Sequence, residues 1–151
     1  MLMKNKLTMC LSILCIGCTF AFGKTFEDHP PKKNINSKPV DVVGAYIDAN
    51  LHTDVKLFDQ VMSEDAFVSF CNGRKAQKQR KSDLLAFYKK MGPTELNCDS
   101  DYEVLSSSGN VVMVRVDFKF PTFLQRNFLT IEKNEQGLWQ VTQVNKFNEN
   151  R

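Results

Sequence analysis

Val112, Val114, Val116, Phe118 and Phe120 occupy every second position of one stretch, with Arg115, Asp117 and Lys119 in the gaps. A period of two is the mark of a strand that is buried on one side, so the apolar set faces a core and the Arg115/Asp117 pair points away from it. Two further runs rich in β-branched and aromatic residues follow, from Asn127 to Lys133 and from Leu138 to Phe147. The clusters Ser106-Ser107-Ser108-Gly109-Asn110 and Asn134-Glu135-Gln136-Gly137 supply turns at the outer gaps, and a bend centred on Pro121 separates the first two runs. The last third of the chain is therefore expected to be an antiparallel meander. Helical patterns dominate what precedes it, which predicts an α+β fold whose sheet curves over helices and whose hollow could hold a ligand.

The front end stands apart from that domain. Lys4 and Lys6 precede an apolar run from Leu7 to Phe22, and Ala21-Phe22-Gly23 offers a small-x-small site before Lys24. This pattern predicts a secretory signal peptide over residues 1–23, since the run is short and interrupted for a membrane span. A second reading keeps Cys18, which follows Ile16-Gly17, as a lipid-modified anchor, although Cys15 stands three positions earlier where leucine would be usual. The mature protein is expected to be exported, periplasmic or extracellular, with no membrane contact unless Cys18 is acylated. Two of the 20 basic residues and none of the 17 acidic ones precede Lys24, so the formal charge falls from +3 to +1 once the leader is gone. A near-neutral body gives no reason to expect a nucleic-acid partner. Only Cys71 and Cys98 remain, too few for a disulfide scaffold, and nothing local brings their segments together.

Residues 24–38 hold two consecutive prolines, many charges and few apolar groups, and are expected to be a disordered tether containing a solvated His29. The domain then spans 39–151. Pro39 suits a first helical turn, and Val43, Tyr46, Ile47, Asn50 and Leu51 recur on one helical face. His52-Thr53-Asp54 breaks that helix and caps a second one carrying Leu57, Phe58, Val61 and Met62, which Ser63-Glu64-Asp65 ends. Asn72-Gly73 predicts a type I′ hairpin turn after the weakly alternating Ala66 to Cys71. The return strand, Arg74 to Lys81, is basic throughout, as suits an edge guarded against further pairing, with an anion-binding strip as the alternative. A third helix, capped by Ser82, carries Leu84, Leu85, Phe87, Tyr88 and Met91 and stops at Gly92-Pro93. Between Glu95 and Leu105, where Tyr102, Val104 and Leu105 fall, a first meander strand is expected.

The order helix, helix, hairpin, helix, meander, taken with Tyr46-Ile47-Asp48-Ala49-Asn50, the break at His52-Thr53-Asp54, the Phe120-Pro121-Thr122-Phe123 bend and the Gly137-Leu138-Trp139-Gln140-Val141 strand, resembles the nuclear transport factor 2-like superfamily. Within it the chain is most similar to the small exported bacterial proteins grouped as putative lumazine-binding, over residues 39 to 148. The resemblance implies a cone-shaped, curved, mixed β-sheet wrapped around three helices, often homodimeric through the sheet, with a pocket at its wide end. Enzymes of this fold place a histidine, aspartate or tyrosine inside the cone; others have no catalysis. Here His52 sits at a helix break, Asp48 lies off its packing face, Asp59 adjoins Phe58 on a half-buried helix and Asp117 faces outward, so none is a convincing general base. No metal-ligand spacing, phosphate loop or serine elbow is present, and no cofactor is expected.

If Val141 faces inward, period two turns Trp139, Gln143, Asn145 and Phe147 the same way. Tyr46, Asn50, Trp139, Gln143 and Asn145 are then the candidate ligand-binding residues, suited to a neutral, flat, hydrogen-bonding small molecule, or else a filled core. Phe120, Phe123 and Leu124 are the candidate pocket mouth, acting as a lid or as an apolar contact for a partner. The leading expectation is a noncatalytic domain that binds an unknown small molecule or a second copy of itself. An isomerase or dehydratase using a carboxylate and Tyr46 or Tyr88 is the alternative, and an interaction module without a cavity is the third.

Overall fold

The computed structural model describes residues 34–72 and 75–150. The expected signal peptide, the alternative anchor at Cys18 and His29 therefore lie outside the described residues. Three α-helices pack on one face of a six-stranded mixed sheet: α1 (Pro39–His52), α2 (Val55–Val61) and α3 (Lys81–Met91) against β1 (Met62–Asn72), β2 (Lys75–Arg80), β3 (Asp99–Ser107), β4 (Val111–Lys119), β5 (Phe123–Lys133) and β6 (Trp139–Asn150). The sheet order is β2-β1-β6-β5-β4-β3, antiparallel throughout except where β1 runs parallel to β6. This is the α+β architecture expected, curved and unclosed.

Local chemistry explains the helix ends. Pro39 opens α1, and Thr53 closes it in the left-handed region at φ 51° while its N–H donates to the Ala49 carbonyl. Asp54 caps α2 as expected, its Oδ1 accepting from the N–H groups of Lys56 and Leu57. Gly92, at φ 78°, lets the chain leave α3, a geometry that glycine adopts without a Cβ penalty. The Asn134 turn is held by its own side chain, whose Oδ1 accepts from the N–H groups of Gln136 and Leu138.

Several boundaries differ from the sequence reading. The ordered chain starts before Pro39, because Ile35–Ser37 forms a 3-10 turn and buried Asn36 donates through Nδ2 to the carbonyls of Trp139 (2.8 Å) and Gln60 (3.2 Å). Ser63-Glu64-Asp65 does not end α2; it belongs to β1, in an irregular stretch between the Met62↔Val141 and Phe67↔Gln143 pairings with β6. The β1–β2 ladder closes on Asn72 opposite Lys75, one residue later than a turn on Asn72-Gly73 would require. Helix α3 begins at Lys81, with no side-chain cap from Ser82. Lys81 is not part of a free basic strip: it is buried, paired with Asp59 at 2.8 Å and Glu64 at 3.4 Å, and donates to the Met62 carbonyl. The rest of β2 is the sheet edge that its lysines suggest, and Lys78 lies 3.4 Å from the centre of the Phe67 ring.

The core lies between the helices and the inner sheet face. Val42, Val43, Tyr46 and Ala49 of α1 meet Phe58 and Val61 of α2 and the strand residues Val68, Val112, Val114, Val116, Phe118, Leu129, Ile131, Val141 and Val144. Tyr46 meets Phe58 edge to face at 6.0 Å, and Phe58 stacks on Tyr88 at 4.9 Å, which ties all three helices together. On the outer face Asp117 is nonetheless buried, because Arg115 (3.3 Å) and Arg126 (2.9 Å) close over it and reach on to Glu103 and Glu149. The expectation that Asp117 faces outward is correct in direction, but arginines rather than water cover it.

Candidate functional site

A bulge decides which side chains reach the hollow. Thr130 pairs with Gln143 and Ile131 with Val141, so Thr142 is surplus to the β5–β6 ladder. An extra residue inverts the alternation beyond it. Trp139 and Val141 point into the core, and so do Val144 and Lys146, whereas Gln143, Asn145 and Phe147 turn to the outer face. There Gln143 Nε2 donates to Asn145 Oδ1 at 3.3 Å and Phe147 meets Phe128 edge to face at 5.7 Å. The expectation that Gln143, Asn145 and Phe147 share the side of Trp139 is therefore corrected, since strict period two holds only for an unbulged strand.

The hollow that results lies between the β1–β2 hairpin, α3 and the ends of β5 and β6, with a volume of about 670 Å³. Leu84, Phe70, Tyr88 and Lys146 form its deeper wall, and Lys75, Gln77, Phe87, Gln125 and Asn148 its more exposed parts. Lys146 is only 5% exposed. Its Nζ donates to Asn50 Oδ1 at 3.4 Å and stands 5.5 Å from the centre of the Phe70 ring. Among the described residues no carboxylate pairs with it. Burial pushes its pKa down from 10.5 to about 8.

Behind Lys146 runs a chain of buried polar groups. Asn50 Nδ2 donates to the Tyr46 carbonyl at 2.8 Å, and Asn127, directly across the ladder from Lys146, donates through Nδ2 to the Tyr46 hydroxyl at 3.1 Å. The Asn127 Oδ1 atom is buried without a hydrogen-bond partner, which costs about 1–3 kcal/mol. Burial also raises the pKa values of Tyr46 and Tyr88, so both phenols stay protonated.

The predicted site residues are thus dispersed. Tyr46 is fully packed beneath the hollow, Asn50 orients Lys146, and Trp139 lies in the core, where its ring faces Lys133 Nζ at 4.9 Å. Phe120 and Phe123 stack at 4.3 Å across a tight turn closed by the Phe120 N–H and the Phe123 carbonyl, and Leu124 pairs with Lys119. None of these three mouth residues lines the hollow. His52 and Asp48 are exposed, and Asp59 is engaged by Lys81. Cys71 and Cys98 are free thiols. Lys146 escaped the sequence reading, yet a signal was present: Val141 and Val144 are three apart, and an unbulged strand cannot bury both.

Residues 37–147 match the model of the family described as "Putative lumazine-binding". The chain belongs to this family. Its fold is nuclear transport factor 2-like, shared with solved structures of low sequence identity. An NTF-2 like protein of unknown function from Silicibacter pomeroyi DSS-3 is 15% identical, covering 73% of this chain and 92% of that one, with a TM-score of 0.61. An NTF2-like protein of unknown function from Methylobacillus flagellatus KT is 19% identical over 73% and 88% of the two chains, also at 0.61. A ketosteroid isomerase-like protein from Erwinia carotovora atroseptica SCRI1043 is 18% identical over 71% and 90%, at 0.58. No curated protein matches the chain. At these identities the likeness extends to the fold alone.

Proposed function

We propose that this protein is an exported, noncatalytic binder of a small molecule, held in the hollow between the β1–β2 hairpin, α3 and β5–β6. The observation that carries this reading is the wall itself: side-chain amides from Gln77, Gln79, Gln125 and Asn148 stand around aromatic rings and a buried amine. Rings flanked by convergent polar groups can hold a flat molecule and orient its polar edge. The family description, "Putative lumazine-binding", points the same way. The proton-transfer alternative needs a carboxylate beside Tyr46 or Tyr88; Tyr88 lines the wall, but among the described residues the wall holds no carboxylate, and Tyr46 is packed away from it. The expectation of a homodimer belongs to the same proposal.

Native mass spectrometry of the protein purified from its own compartment tests this. A retained small-molecule adduct is expected, together with an N-terminus processed near Lys24 and the mass of a dimer. The adduct should vanish in Gln125→Trp, which fills the hollow, while the circular dichroism spectrum stays unchanged. An adduct that survives Gln125→Trp would place the ligand elsewhere, and a bare protein that also ignores a compound panel in thermal-shift assays would overturn the reading.

A further inference from the structure

Lys146 poses a problem that the fold leaves open. It is 5% exposed, and of the three donors on its ammonium the hydrogen bonds among the described residues use one, toward Asn50. A buried charge ordinarily keeps an opposite charge beside it. Among the described residues nothing of that kind faces Lys146 from any element around it. Helix α1 offers the neutral Asn50 and Tyr46, β1 the Phe70 ring and the Cys71 thiol, β2 the cation Lys75 and the amides Gln77 and Gln79, α3 Tyr88, and β5 the amides Gln125 and Asn127. Among the described residues the charged side chains lining the hollow are both positive, Lys146 on its deeper wall and Lys75 nearer solvent.

We propose that the hollow receives the carboxylate of a small aromatic acid, with the Lys146 ammonium as its counter-ion and Lys75 as a second positive charge nearer solvent. The proposal rests on the small-molecule reading above and narrows it. It also replaces the expectation of a neutral ligand, which depended on Gln143 and Asn145 facing inward. Phe70, Phe87 and Tyr88 provide the rings against which the acid's flat portion lies, and the amides orient its remaining polar edge. The same environment that depresses the lysine pKa makes it a demanding partner: an anion restores the charged form, and a neutral isostere does not.

The probes are benzoate, cinnamate and indole-3-acetate against benzamide, cinnamamide and indole-3-acetamide, followed by ¹H–¹⁵N chemical shifts of the full chain. At least one acid is expected to bind tenfold or more tightly than its amide, with shifts around β6 and α3. Its Kd should rise about tenfold per pH unit above pH 8, because only the protonated amine binds it. The Lys146 ¹³Cε titration should move to higher pH in the complex. Lys146→Met should lose at least tenfold in affinity, with its fold verified by the same spectra, and Lys75→Met should lose two- to threefold. Equal binding of acid and amide in the hollow, or unchanged affinity in folded Lys146→Met, would overturn the carboxylate proposal and leave the small-molecule reading intact. A purified protein that carries a neutral adduct and ignores every acid would do the same, whereas no adduct and no responder would sink both.

Discussion

The amine of Lys146 donates to the Asn50 side-chain oxygen at 3.4 Å, joining the last strand to the first helix across nearly the whole domain. This contact anchors the polar chain that continues through Tyr46 to Asn127. A cation is thus seated on neutral amides at the wall of a hollow, and its stability cost and binding value are two aspects of one arrangement.

The cost can be measured by pH. Lys146 has its folded pKa lowered from 10.5 to about 8, so between those values the unfolded chain binds more protons than the native one. Stability contributed through this group therefore rises as pH increases from about 8 to 10.5, by about 3 kcal/mol in all, and the penalty is fully present below pH 8. Tyr46 and Tyr88, whose pKa values are raised, act in the opposite sense above about pH 10. Urea unfolding of wild type and Lys146→Met at pH 7, 8, 9 and 10 should show the variant more stable at pH 7 and the difference shrinking with pH. A difference independent of pH would show that Lys146 is not the group titrating.

The Tyr46–Asn127 hydrogen bond predicts strong coupling between its partners. Tyr46→Phe should cost about 1–3 kcal/mol by leaving the Asn127 amide without its buried acceptor, and Asn127→Leu a similar amount. The double variant should lose less than the sum, because two apolar groups need no partner. Chemical denaturation of the four proteins in the cycle measures this, and strict additivity would mean that the bond contributes nothing.

Asp117 and Asp101 make a controlled comparison on the outer sheet face. Asp117 is buried between Arg115 and Arg126, so Asp117→Ala should destabilise by about 1.5–3 kcal/mol by removing the buried acceptor that both guanidinium groups share, although each keeps its outer partner, Glu103 or Glu149. Asp101 pairs with Lys119 in the open, and Asp101→Ala should cost less than about 1 kcal/mol. Thermal melts at two salt concentrations distinguish them, with only the exposed pair weakening appreciably as salt rises.

Deleting Thr142 tests the bulge directly. Without Thr142 the ladder runs unbroken from Val141 to Gln143, and period two keeps Val144 and Lys146 inward and Gln143, Asn145 and Phe147 outward, so the shortened chain should still fold, with a loss of about 1–3 kcal/mol. Thr142→Gly keeps the residue count and should cost no more than about 1 kcal/mol. Circular dichroism and a urea midpoint for each variant report the outcome; a deletion variant that fails to fold would show that Thr142 is not surplus to the ladder.

Much of the fold is legible in the chain because local signals and packing demands agree. The uninterrupted apolar alternation from Val112 to Phe118 became β4 with its predicted inner face, and Asp54, Pro39 and Gly92 mark helix ends by capping and backbone preference. The site was less legible because it depends on long-range register. Whether Asn145 or Lys146 meets the hollow turns on one unpaired residue in β6, and whether Lys81 is a surface cation or a buried clamp turns on where Asp59 and Glu64 fall in space. Asn36 reads as linker until the Trp139 carbonyl it holds is brought near from the far end of the chain.

The surplus threonine has an implication for how such a hollow changes. β6 is in effect two segments of opposite parity welded at one point, the earlier fastened into the hydrophobic interior and the later free to present new chemistry. Because a surplus residue there is held out of the ladder, a change of length by one at the weld leaves the downstream set on its own side of the sheet, so the lining of the cleft and the scaffold around Trp139 are both insulated from it.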